Sequence, residues 1–186
     1  MSTALRYAVV VLLAAASLLW RDYNLNTFLA PGVELVTVLA VVSAILLPRV
    51  VAVAVPLLTV AVGDLVLGSH SVIFLYVWGA WVVIAIAALV MRRDRSRTAT
   101  ALVGLGIGAG ASTLFFLVTN LGTWMLGRGE WYADSFAGLL TAYGMGLPFY
   151  LYPLAANLVL VPAAAVAAHA LRGRLEAPAA ALQPAH

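Results

Sequence analysis

Charge is scarce in this sequence: Asp, Glu, Lys and Arg together make up 9% of its 186 residues, and lysine and cysteine are absent altogether. A soluble domain ordinarily carries about 25% charged residues, and a chain of this size exposes too much surface to dissolve with so few. That scarcity excludes a soluble enzyme, a nucleic-acid-binding protein and a disordered chain. The lack of cysteine excludes disulfides, thiolate metal sites and a cysteine nucleophile. No His-Glu-x-x-His pattern occurs, so a zinc peptidase of that type has no support. What the chain has instead is apolar length: 65% of its residues are hydrophobic, and its mean hydropathy is +1.06. It reads as an all-α integral membrane protein in contact with the lipid bilayer and with no nucleic-acid partner.

A membrane helix needs roughly 20 mostly apolar residues. Six stretches qualify as candidates: Ala4–Trp20, Val33–Pro48, Val50–Leu67, Ser71–Met91, Thr98–Leu126 and Pro148–Leu171. Pro48-Arg49 reads as a tight hairpin turn between the second and third. The first stretch, with Arg6 ahead of an apolar run, shares features with a signal peptide; it is read as a retained helix. Arginine sets the expected orientation. With the N-terminus inside, the inner segments carry Arg6, Arg49, Arg92, Arg93, Arg95, Arg97, Arg172 and Arg174, and the outer segments only Arg21 and Arg128. That bias follows the positive-inside rule. The expectation is a polytopic bundle of six transmembrane helices, N-in and C-in, in a bacterial cytoplasmic (inner) membrane. Residues 1–174 form its single domain, and the Ala/Pro-rich residues 175–186 form a disordered cytoplasmic tail.

Two segments depart from simple spans. Residues 134–146 are too short to cross, and Gly144, Gly146 and Pro148 break helices, so a separate short helix at the outer face is expected there. The fifth stretch carries Gly104, Gly106, Gly108 and Gly110, then Ala111 and Ser112. No strand precedes these glycines, so they are not a dinucleotide fingerprint; small residues let a neighbouring membrane helix come close.

The aromatic residues crowd one side. Of 18, only Tyr7 lies clearly near the inner face, and all five tryptophans fall in outer loops or outer helix halves. An outer aromatic belt with core packing explains this, as does an aromatic cavity opening outward. Glu34, Asp64 and Asn120 lie at similar depth, with His70 in the following loop, and ionisable groups there usually face the protein interior or a wet cavity. Ser112 and His169 do not make a catalytic dyad: at 1.5 Å rise per residue they stand on the order of 15 Å apart in depth.

Phe115-Phe116…Thr119-Asn120…Trp124, Gly138-Leu139-Leu140 and Gly146-Leu-Pro-Phe-Tyr150 resemble a family of small bacterial membrane proteins known mainly as a domain of unknown function. Pro31-Gly-Val-Glu-Leu-Val-Thr37 and Gly63-Asp-Leu-Val-Leu-Gly68 stand where that family has its other recurrent segments. In architecture the chain is also similar to the substrate-binding S components of energy-coupling factor transporters. That resemblance implies an outward-facing vitamin site and a small-residue face, here Ala4 and Ala8, meeting a transmembrane coupling protein and its ATPase module.

The leading expectation is a membrane uptake component, not an enzyme, that binds a small ring-containing nutrient in an outward-facing cavity. Trp124, Asn120, Trp131 and Tyr132 form its wall and lid, Asp64 and Glu34 supply charge or hydrogen bonds, and Tyr76 and Trp78 supply stacking surface. No cofactor, metal ligand or catalytic residue is expected, although a cobalt-centred ligand with His70 as its axial group is conceivable. The rival expectation is a structural or assembly protein without a ligand, similar in architecture to membrane components of the cell-shape machinery. An intramembrane acid-pair enzyme built on Glu34 and Asp64 is a third.

Overall fold

The computed structural model describes residues 3–66 and 72–180, with side chains as far as Arg174. Six α-helices follow one another: α1 (Thr3–Thr27), α2 (Val36–Leu46), α3 (Arg49–Val66), α4 (Phe74–Ala88, continued by a 3-10 turn over Leu89–Arg92), α5 (Arg97–Gly127) and α6 (Phe136–Ala180). No β-strand occurs among the described residues. Five of the helices are long and apolar enough to cross a membrane, and they expose large apolar side chains such as Val11, Leu12, Leu19, Leu58 and Val159. This is the build of a multi-pass membrane protein.

The sixth helix is different. α2 has 11 residues, Val-Thr-Val-Leu-Ala-Val-Val-Ser-Ala-Ile-Leu, and all of them are buried. A helix without a polar face belongs inside a bundle, and at 1.5 Å per residue this one is about 16 Å long, roughly half of a hydrocarbon core. It forms the axis of the fold. Leu39, Val41, Val42 and Ile45 pack against Val10 of α1, Ala52 of α3, Ala88 at the end of α4, Met91 of the 3-10 turn, and Val161 and Ala165 of α6. The expected span Val33–Pro48 is thus helical only over its middle, because residues 28–35 run as irregular backbone into the bundle.

Irregular backbone at membrane depth survives only where protein surrounds it, and this segment is tied down. Trp20 Nε1 donates to the Val33 carbonyl at 2.9 Å. Asn24 clamps Ala30 from both sides, its Nδ2 donating to the carbonyl at 2.7 Å and its Oδ1 accepting from the N–H at 2.9 Å. Gly32, at φ +77°, lies so close to α6 that a Cβ there would stand 2.9 Å from the Phe149 carbonyl oxygen. Pro153, four residues on, has no N–H with which to meet that carbonyl.

At its other end α2 is closed by Arg92, whose Nη1 donates to the Ala44 and Leu47 carbonyls. A guanidinium at a helix C-terminus meets both the unpaired carbonyls and the negative end of the dipole. Arg172 in turn donates to the Arg92 carbonyl at 3.1 Å and pairs with Asp94. Part of the arginine cluster therefore holds the bundle together.

The separate short helix expected over 134–146 does not form. α6 runs unbroken through Gly144, Gly146, Pro148, Pro153 and Pro162, started by Ser135, whose Oγ accepts from the Gly138 N–H. Prolines are tolerated in membrane helices because packed neighbours make up for the lost backbone bonds. α5 is that neighbour. A Cβ at Gly104 would stand 2.8 Å from Pro162, and one at Gly108 would stand 2.5 Å from the Asn157 carbonyl oxygen, whereas Gly106 and Gly110 meet nothing within 4 Å. The expected close packing thus uses alternate members of the glycine run. Residues 67–71, with His70, lie outside the described residues, as do 181–186 of the expected tail.

Gly108→Ala is expected to destabilise the protein by about 1–3 kcal/mol through overpacking. Gly106→Ala is expected to leave it unchanged or slightly more stable, and thermal unfolding in detergent distinguishes the two.

Candidate functional site

The last turns of α1 carry Arg21, an arginine that enters the bundle. Val10 and Ser17 are the buried residues of this helix, and Arg21, one turn beyond Ser17, continues the same stripe. Its Nη2 pairs with Asp64 of α3, whose side chain is only 1% exposed. The other Asp64 oxygen accepts from Trp78 Nε1 of α4 at 2.7 Å. A buried carboxylate held by a guanidinium and an indole N–H is fully compensated, so Asp64 is locked among three helices.

Glu34 stands beside this pair with weaker support. Its Oε1 lies 3.6 Å from Arg21 Nε, beyond a hydrogen bond, and its Oε2 is buried without a partner. Glu34 sits in the 28–35 segment, just ahead of α2.

A cavity of about 110 Å³ opens at Glu34 between the start of α2 and the facing sides of α4, α5 and α6. Aromatic rings make much of its wall: Trp81 packs on Phe115 with centroids 5.2 Å apart, and Phe116 stacks on Tyr150 at 4.7 Å. Polar groups edge it. Asn157 Nδ2 donates to Ser112 Oγ at 2.9 Å and lies 3.4 Å from Thr37 Oγ1. Asn120 donates to the Phe116 carbonyl at 2.8 Å and rests on Gly146, where any Cβ would overlap its amide.

The expected site residues divide into four groups. Glu34 and Asn120 line the cavity. Asp64 and Trp78 bond each other directly, with Arg21 standing between Asp64 and Glu34. Tyr76 lies across Gly122 of α5, where a Cβ would overlap its ring. Trp124, Trp131 and Tyr132 do not line the cavity but gather at the α5–α6 turn: Trp124 Nε1 donates to the Ala133 carbonyl at 3.2 Å under the Arg128 guanidinium, and Trp131 and Tyr132 pack on Gly127. Trp131 is 76% exposed. Ser112 belongs to the cavity, whereas His169 binds the Met91 carbonyl beside the arginine cluster.

Arg21, Trp81, Asn157 and Tyr150 were not among the expected site residues. The buried stripe of α1 pointed to Arg21, and Tyr150 lies within the Gly146–Tyr150 segment. Nothing local distinguishes Asn157 within its apolar run. Of the segments carrying the family resemblance, those around Glu34, Phe115–Asn120 and Gly146–Tyr150 meet at this cavity.

One prediction follows from the charge cluster. Arg21→Met strands Asp64 and is expected to cost about 3–5 kcal/mol, with part recovered in the Arg21→Met/Asp64→Leu double variant; unfolding of both, with Asp64→Leu alone, closes the cycle.

No curated protein and no solved structure matches the chain. Residues 1–180 match a family of unknown function, DUF6580, and the chain belongs to that family.

Proposed function

We propose that this protein is a membrane uptake component that takes a small ring-containing solute into the cavity at Glu34. The observation that carries this reading is the cavity itself, aromatic in its walls, polar at its edges and lined by residues of four helices and the 28–35 segment. Its position supports the same reading. It lies where irregular backbone meets the start of a half-length helix, the arrangement by which many membrane transporters present a solute site. Aromatic faces hold flat rings, and the few polar groups set their orientation.

The cavity lies toward the end of the bundle away from Arg92–Arg97. Under the positive-inside rule it therefore opens outward, in a bacterial inner membrane with both chain ends in the cytoplasm. The proposed likeness to S components of energy-coupling factor transporters also asks for a coupling partner. Ala4 and Ala8 are exposed on α1, which leaves that face open to one. The sequence has no lysine and so no Walker-type phosphate loop, and energy for uptake would come from a separate ATPase module.

Mass spectrometry of small molecules released from the purified protein tests this reading. Ala111→Leu narrows the cavity without touching its hydrogen bonds, and it is expected to lower the amount of co-purifying solute by roughly tenfold. A natural protein that purifies empty, and takes up nothing when placed in vesicles, favours the ligand-free structural role.

A further inference from the structure

We propose that the solute held beside Glu34 is a single-ring nitrogen base that binds as a hydrogen-bond-donating cation. The inference rests on reading the cavity as a solute site, and three features of its wall carry it.

The first is charge. Arg21, the nearest cation, is committed to Asp64 and stands 3.6 Å from Glu34 without a hydrogen bond. Among the described residues no arginine or histidine lines the cavity, and Glu34 is the one carboxylic acid that does. A carboxylate or phosphate solute would have no cationic partner among them and would face that acid, whereas a cation would supply an opposite charge to Glu34. Rotation about the broad terminal torsion of Glu34 exchanges its two oxygens and turns the unpartnered one.

The second is the use of donors. The Thr113 hydroxyl donates to the Ala109 carbonyl, so in the 3.0 Å contact between Thr113 and Tyr150 the tyrosine is the donor. Thr119 donates to the Phe115 carbonyl, and one Asn120 N–H goes to the Phe116 carbonyl. Asn157 Nδ2 is turned to Ser112 and Thr37. Much of the wall's donor capacity is spent within the protein, while the Glu34 oxygen and the lone pairs of Tyr150 and Thr119 remain as acceptors. Such a wall is complementary to a donor.

The third is size. An engineered cavity of about 150 Å³ accepts benzene, and about 110 Å³ is on the scale of a single small ring. The walls formed by Trp81, Phe115 and Phe116 add the attraction of aromatic faces for a cation.

Isothermal titration calorimetry on the full chain in detergent at about pH 8 tests this with three rings of one size: 4-aminopyridinium, aniline and benzoate. The expected result is 4-aminopyridinium binding at least roughly tenfold tighter than aniline, benzoate showing no binding, and the preference lost in Glu34→Gln. Equal binding of the cation and aniline, a preference that survives Glu34→Gln, or tighter binding of benzoate overturns the inference. Ala111→Leu separates this failure from failure of the underlying reading. Aniline binding abolished by that variant, without any preference for the cation, sinks the solute class and leaves the cavity as a solute site. No binding of any ring sinks both. The comparison between 4-aminopyridinium and aniline on the natural protein decides the matter even where Glu34→Gln does not fold.

Discussion

A backbone inside a bilayer has no water to bond to, and α2 is too short to satisfy that condition by crossing alone. Its 11 residues leave the preceding eight as irregular chain within the bundle. Much of the architecture answers that shortfall. Arg92 meets the last carbonyls of α2, while Trp20 and Asn24 hold the segment that leads into it. The long helices close around the axis. Where the irregular segment turns into α2 the packing is incomplete, and the cavity lies there.

The few charges follow the same division. At one end Arg92, Arg172 and Asp94 join the α4–α5 connection to α2 and α6. At the other, Arg21, Asp64 and Trp78 join α1, α3 and α4. Each of those charges has an opposite charge or aligned dipoles beside it, as a low-dielectric interior demands. Glu34 is less completely met: Arg21 stands 3.6 Å from one of its oxygens, and the other is buried without a partner. An unsatisfied buried group is informative about what else the fold is selected for, and Glu34 is also part of the cavity lining.

Helices whose apolar length decides them were legible. α3, α4 and α5 stand close to their expected limits, α1 continues seven residues past its expected end at Trp20, and α2 and α3 turn at Leu47 and Pro48, one residue before the expected Pro48-Arg49. Gly104 and Gly108 serve the packing expected of them, because a four-residue spacing puts both on one helix face. Segments governed by neighbours were less legible. Gly144, Gly146 and Pro148 carry strong local breaking signals, yet the helix continues because packing against α5 and the 28–35 segment outweighs them. For the cavity, Glu34 and Asn120 could be singled out, since a polar residue in an apolar run is conspicuous. Trp124, Trp131 and Tyr132 were grouped with them by depth alone. Depth does not say which way a side chain points round the bundle, and these three form their own cluster at the α5–α6 turn.

By itself the sequence determined that this chain is helical and lives in a membrane, because apolar length and scarce charge act residue by residue through transfer free energy. Only the tertiary structure decided that the shortest apolar helix is the axis, that Arg21 serves Asp64 and not Glu34, and that Asn157 meets Ser112 across two helices. Those are matters of which helix faces which. Helix faces are chosen by packing among residues separated by tens of positions along the chain, and no local property of the sequence encodes that choice.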